Sequence, residues 1–257
     1  MTNNVAKKSY SWQHCEQQTS FPITCLDNFY NDPDGIRQFA LNQRFHKTLG
    51  NFPGFRTNDL SQINEQFFQL SVNKLLSLFF QIDTIESKDF QWKGKTSFQK
   101  VYSNHKNPNH ILNVGDIHSD EKHLQLAAVV YLNPNPSLDS GTSFYRYKED
   151  SQGYCPTGDF LGIKTKCYKE GDCEKWASIL QDHNSHFEKT AEVKNLYNRL
   201  IAYQPQLFHG QTNFCMPKEG KSMYEMGGEV RLTQVFFIDI IKTPLLNPIS
   251  RSNLYDI

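Results

Sequence analysis

His118 and Asp120 stand two residues apart in Gly115-Asp116-Ile117-His118-Ser119-Asp120. Alternate side chains of an extended strand share a face, so this spacing puts an imidazole beside a carboxylate. That pair is two thirds of a metal site. One further histidine completes a 2-His-1-carboxylate triad, which holds iron(II) on one face and leaves positions open for a co-substrate and oxygen. His209, in Leu207-Phe208-His209-Gly210, is the candidate; it lies 91 residues from His118 (209 − 118), so only the fold can bring it there. The plainer alternative is a surface turn, because Gly115, Asp116, Ser119 and Asp120 are all turn-forming residues.

A second cluster lies on other strands. The run Glu229 to Ile240 reads as one long strand. Arg231, Thr233, Val235 and Phe237 then share one face, and Leu232, Gln234, Phe236 and Ile238 the other. An arginine on an inward face demands an anion. A guanidinium fork binding a carboxylate end-on meets that demand, with the Thr233 hydroxyl adding a hydrogen bond. The alternative is a structural ion pair with Glu229 or Asp239. A metal at one end and a carboxylate clamp at the other suit a dicarboxylate that chelates the metal.

These groups need elements to position them. Asp32 as N-cap and Pro33 at the first helical position start a helix whose buried stripe is Ile36, Phe39 and Ala40. Asp59 or Ser61 caps a second helical stretch, in which Phe68, Val72, Leu75, Leu76 and Phe79 recur at helical spacing. Short strands are expected at Phe21–Leu26 and Ser97–Tyr102. Leu124–Asn133 is nearly all apolar, as in a strand buried on both faces. Further strands are expected at Gly141–Tyr147 and Tyr197–Tyr203. Residues 149–195 break this rhythm and read as an insertion or lid, with Trp176, Ile179, Leu180, His183 and Phe187 on one helical face. His105 and His110 fall in a turn-rich loop, and His123, His183 and His186 read as surface residues. Many short strands with turns between them indicate a sandwich or barrel, with the histidine–carboxylate pair at its mouth.

Composition narrows the class. The chain has 257 residues, 38% hydrophobic and 13% aromatic, enough for a sizeable core in one domain. The expected division is a helical and strand support over 1–96, a core over 97–240 with 149–195 inserted, and a tail over 241–257. The 27 basic and 27 acidic side chains cancel, which argues against a nucleic-acid or anionic-membrane partner. No apolar run is long enough to span a bilayer, and Met1–Lys8 leads into no apolar signal segment, so a cytoplasmic location is expected. Six cysteines include no C-x-x-C pair, and reduced thiols are expected.

Taken in order, the residues resemble a known family. His118-x-Asp120, Val129-Val130-Tyr131-Leu132-Asn133 followed by Gly141-Thr142-Ser143-Phe144, Tyr197 to Tyr203 leading to His209, and Arg231-x-Thr233 together look like the 2-oxoglutarate- and iron(II)-dependent dioxygenases, in their prolyl hydroxylase-like branch. The resemblance covers roughly residues 97–240. It implies a mainly β (α+β) fold, with a double-stranded β-helix (jelly-roll, cupin-like) core, N-terminal helices packed on it and an inserted helical lid. It implies that His118, Asp120 and His209 bind Fe(II). It implies that Arg231 pairs with the distal carboxylate of 2-oxoglutarate, and that Thr233 and Tyr131 add hydrogen bonds. The implied reaction consumes O2 and 2-oxoglutarate, releases succinate and CO2, and hydroxylates an amino acid, a peptidyl side chain or a small metabolite.

The chain departs from the family pattern in three places. The usual Gly-Gly pair is Ser140-Gly141. His209 and Arg231 are 22 apart (231 − 209), so residues 212–228 look inserted. Where a second co-substrate tyrosine often stands, this chain has Asn113 and Val114, with Tyr102 further back. Two other classes compete with an oxygenase. One is a non-catalytic jelly-roll binding module or lapsed oxygenase; the other is a cupin-type metalloenzyme without 2-oxoglutarate, which would need no carboxylate clamp.

Overall fold

The computed structural model describes residues 23–47, 54–102, 107, 109–121, 123–151, 154, 173–213 and 230–242. Asp32 caps helix α1 (Pro33–Leu41), its carboxylate accepting from the Gly35 N–H at 2.9 Å. Asp59, not Ser61, caps α2 (Leu60–Ile63). Asn64 opens α3 (Glu65–Leu76), and a short α4 follows (Ile82–Ile85). Ala40, Phe68, Val72, Leu75 and Leu76 are buried, as their spacing predicts.

The strands are β1 (Thr24–Leu26), β2 (Phe55–Arg56), β3 (Gln91–Val101), β4 (Leu126–Tyr131), β5 (Thr142–Tyr147), β6 (Phe187–Val193), β7 (Leu200–Tyr203), β8 (Phe208–Gln211) and β9 (Arg231–Lys242). A helix α5 (Cys173–Ser185) precedes β6. The strands form two antiparallel sheets, ordered β1-β7-β4-β9-β3-β2 and β6-β5-β8. An isolated bridge joins His118 to His209, which sets residue 118 alongside β8.

Alternation along the large sheet decides what lies where. Leu126, Ala128, Val130, Leu200, Ala202, Leu232, Phe236 and Ile238 join Phe98 in the core cluster shared with α1 and α3. The opposite face supplies Ala127, Tyr131, Ile201 and Tyr203, which pack with Phe144 of the small sheet; Phe237 lies against them. The face assignment read from β9 is therefore the one observed.

Several boundaries differ from expectation. Phe187–Val193 lies inside the stretch read as an insertion, yet it pairs with β5 along its length and belongs to the small sheet. Its Glu-Lys-Thr-Ala-Glu pattern is polar because most of the strand is only half-buried or exposed, so no apolar signal marked it. β3 begins at Gln91, so the core reaches back into the N-terminal support, and β1 and β2 add strands to the same sheet. β7 begins at Leu200 because Asn198 turns the chain with φ of 62°. Residues 1–20, His105, most of 212–228 and the tail from 247 lie outside the described residues. So do Cys15, Cys155, Cys167 and Cys215; Cys25 is a free, exposed thiol. Among the described residues no helix is long and apolar enough to cross a membrane.

Asn198 ties the two halves of the molecule. Its side chain accepts from Tyr30 N–H at 2.8 Å and donates to Tyr30 C=O at 2.7 Å, and its own N–H donates to Tyr131 C=O at 2.8 Å. An alanine there leaves buried polar groups of Tyr30 unsatisfied and adds left-handed backbone strain. Asn198→Ala should cost about 2–4 kcal/mol in urea unfolding, and Asn198→Gly, which relieves only the strain, should cost less. A loss below about 0.5 kcal/mol for Asn198→Ala would contradict this role.

Candidate metal centre

The folded chain brings His118, Asp120 and His209 together, with one ligand atom from each lying within 4.8 Å of the others. The bridge does the positioning. His118 N–H donates to His209 C=O at 3.0 Å, and His209 N–H donates back to His118 C=O at 2.8 Å. Asp120 N–H donates to Pro205 C=O at 2.8 Å, which fixes the carboxylate's start point. Glycines let the two lines approach. A Cβ on Gly115 would sit 2.4 Å from the Gln211 nitrogen, and one on Gly210 would sit 2.9 Å from the Asp116 carbonyl oxygen.

The rings are set for ligation. His118 Nδ1 lies 2.9 Å from the Asp116 carbonyl oxygen and His209 Nδ1 lies 2.7 Å from that of Leu207. Each carbonyl demands an N–H, so Nδ1 carries the proton and Nε2 presents a lone pair. Both Nε2 atoms face Asp120, at 3.8 Å from Oδ1 for His118 and 3.6 Å from Oδ2 for His209. Asp120 Oδ2 is buried and has no hydrogen-bond donor among the described residues. Burial pulls the His118 pKa down, which disfavours the imidazolium that would satisfy it; Asp120 opposes this and Arg56 adds to it. Burial likewise pushes the Asp120 carboxyl up, against the pull of His118 and Arg56. Two imidazole lone pairs and a carboxylate oxygen without a donor, converging where His209 is buried and His118 and Asp120 are half-buried, are a donor set for a divalent transition metal.

Arg231 is 2% exposed, and its Nε donates to the Ser140 carbonyl at 2.8 Å. Its guanidinium lies over the Tyr131 ring, 5.2 Å from the centroid. The Tyr131 hydroxyl is 2.8 Å from Thr142 Oγ1. Among the described residues Arg231 has no acidic partner; Asp239, one proposed alternative, lies instead near His123 at 3.8 Å, and Glu229 is outside the described residues. Thr233 Oγ1 is buried with no hydrogen-bond partner among the described residues. Thr233 pairs in register with Tyr131 on one side and Gln99 on the other. Tyr131, Arg231 and Thr233 thus gather on the inner face of the large sheet.

Three residues near the centre were not singled out by sequence reasoning. Tyr203 is buried against His209 (ring centroids 4.7 Å apart) and Phe144 (5.2 Å). Burial raises its phenol well above the usual range, with the Asp120 charge next in weight. Its position two after Ile201 on an inner strand face was the available signal. Arg56, on β2, lies over Phe237 at 5.4 Å from the ring centroid. Burial pulls its pKa down to about 10, opposed by Asp120 and Tyr203. A two-residue strand carries no period, so nothing local marked it. His183 was read as a surface residue but is 2% exposed. Tyr102 packs edge-to-face on Phe55, 6.1 Å away, at the end of β3. His110 caps the single turn Ile111–Asn113.

Residues 8–214 match the model of a family of unknown function, DUF6445. The chain belongs to that family. A search of curated protein sequences finds no significant match. Among solved structures, this DUF6445 chain is similar to HygX from Streptomyces hygroscopicus with nickel, 2-oxoglutarate and hygromycin B bound, at 12% identity over 89% of this chain and 85% of HygX, TM-score 0.47. It is similar to EvdO2 from Micromonospora carbonacea var. aurantiaca at 10% identity over 93% and 96% of the two chains, TM-score 0.47. An oxidoreductase of the 2OG-Fe(II) oxygenase family from Burkholderia pseudomallei gives 7% identity over 84% of each chain, TM-score 0.40.

The depressed His118 pKa has a testable sign. In the metal-free protein the unfolded imidazole takes up a proton near pH 6.5, and the folded one only at lower pH. Between those two values the unfolded state binds more protons, so His118 makes stability fall as pH falls. The His118 ring signal in a pH-titrated NMR spectrum should therefore shift with a midpoint below 6.5. A midpoint at or above the free-imidazole value would contradict the desolvated pocket.

Proposed function

We propose that this chain is an iron(II)- and 2-oxoglutarate-dependent oxygenase. The observation that carries the reading is the convergence of His118 Nε2, His209 Nε2 and Asp120, whose Oδ2 has no donor among the described residues, on the same inter-sheet face that buries Arg231 with no acid beside it among those residues. The strand path supports a double-stranded β-helix. From β3 onward the chain passes from the large sheet to the 118 line, back to β4, on to β5 and β6, back to β7, across to β8 and back to β9.

His118, Asp120 and His209 would hold Fe(II), leaving its remaining positions to 2-oxoglutarate and O2. Bound there, the metal and keto acid supply oxidative decarboxylation to succinate and CO2, coupled to hydroxylation of a substrate C–H bond. The chain's own residues supply the rest. Nδ1 bonds to Asp116 and Leu207 keep both rings in the ligating tautomer. Arg231 offers guanidinium N–H donors to the distal carboxylate, with the Tyr131–Thr142 hydroxyl pair and Thr233 Oγ1 beside it. Tyr203, Phe144 and Ile201 wall the space with apolar surface, which excludes water and strengthens each charge contact. The substrate oxidised is an amino acid, a peptidyl side chain or a small metabolite.

Anaerobic titration with Fe(II) and 2-oxoglutarate tests this. Wild type should develop a weak visible charge-transfer band. His209→Ala should abolish it. Arg231→Ala should retain the band but weaken 2-oxoglutarate affinity by at least about 30-fold, the equivalent of about 2 kcal/mol for a buried charge pair. A folded wild-type protein that gives no band would instead support the binding-module reading.

A further inference from the structure

Among the described residues, the line of chain that carries His118 has a sheet neighbour on one side only. Gly115 N–H donates to Gln211 C=O at 2.8 Å, and His118 exchanges both of its backbone bonds with His209. On the other side a strand edge would leave the Gly115 carbonyl and the Ile117 N–H and carbonyl facing away from any ladder. Helix α5 takes that place. His183 Nε2 lies 2.7 Å from the Ile117 carbonyl oxygen. Asn184 Oδ1 accepts from Ile117 N–H at 3.3 Å, and Asn184 Nδ2 donates to Gly115 C=O at 3.3 Å. Two adjacent helix side chains thus supply the donor and acceptor pattern of a missing strand.

The helix is itself anchored to the same stretch. Trp176, Ala177 and Leu180 are buried against Leu112, in the single turn that leads into Gly115. The His183 ring is fixed from behind, its Nδ1 lying 3.2 Å from the Tyr154 hydroxyl, and Tyr154 stacks on His186 with centroids 3.8 Å apart. With Nε2–H donating to Ile117, Nδ1 accepts from Tyr154, which assigns His183 one neutral tautomer. Burial, which lowers its pKa, favours the same form.

We propose that α5 is a positioning element of the metal centre: His183 and Asn184 act as surrogate ladder partners for residues 115–117 and thereby fix His118 and Asp120 against His209. This rests on the metal-centre reading above. It assigns the helix a role different from that of a substrate lid.

Cobalt(II) titration of the purified full chain, followed by calorimetry and the visible ligand-field band, tests the role without requiring turnover. His183→Ala and Asn184→Ala should each weaken cobalt binding by about 10–100-fold, the range for groups that orient metal ligands. His183→Gln places an amide N–H near the former Nε2 and should restore most of the affinity. The metal-free melting temperature is measured alongside, because a purely structural helix would lower it while leaving the folded protein's cobalt affinity unchanged. Folded His183→Ala that binds cobalt within twofold of wild type overturns the proposal, as does a His183→Gln variant as weak as the alanine. If His183→Ala does not fold, Asn184→Ala decides on the same criterion. Wild type that binds no cobalt removes the metal centre itself, an outcome distinct from failure of the helix variants alone.

Discussion

The structure turns on a reciprocal pair of backbone hydrogen bonds between His118 and His209. Each residue gives its N–H to the other's carbonyl, so the two Cα positions are fixed across the small sheet rather than left to side-chain packing. Everything the candidate centre does follows from this. The rings lie 4.6 Å apart between centroids, and Asp120 falls on the same side because it is two residues on. The pair is isolated, not part of a long ladder, which is why Gly115 and Gly210 must let the backbones close and why a helix must supply the outer edge.

A second constraint is electrostatic. The space between the sheets buries a carboxylate at one end and a guanidinium at the other without joining them as a pair. Such burial costs several kcal/mol per ion after relaxation, which a stable fold offsets or a ligand relieves. Asp120 faces two imidazoles held in the tautomer that cannot donate to it, so a cation is the partner that fits. Arg231 faces a carbonyl, a phenol ring and hydroxyls, so an anion is the partner that fits. Phe144, Ile201 and Tyr203 line the space between these regions with buried apolar surface, which makes both demands sharper. Arg56 adds positive charge near Asp120 from the edge of the large sheet.

The parts legible in the sequence were those governed by short periods. An i, i+2 pair gave the His118–Asp120 face, and alternation along β9 put Arg231 and Thr233 on the inner side. Helix caps at Asp32 and Asp59, and the stripe Phe68–Leu76, follow from local chemistry. What was illegible depends on pairing partners far away in the chain. β6 looks polar because only its contacts with β5 make it a strand. Arg56 sits on a strand of two residues that exists only because β3 lies beside it. His183 shares a face with Trp176 and Leu180, but nothing local says that this face meets the Ile117 carbonyl. Asn198 delays the start of β7 to Leu200 through a left-handed turn that asparagine tolerates and sequence does not demand.

The most direct test of the central claim is anomalous diffraction from crystals grown anaerobically with iron(II) and 2-oxoglutarate. One strong iron peak is expected at coordination distance, about 2.0–2.2 Å, from His118 Nε2, His209 Nε2 and an Asp120 oxygen, with a carboxylate of the keto acid on the Arg231 guanidinium. An iron peak elsewhere, or an Arg231 paired with an acidic side chain of the protein itself, would contradict it.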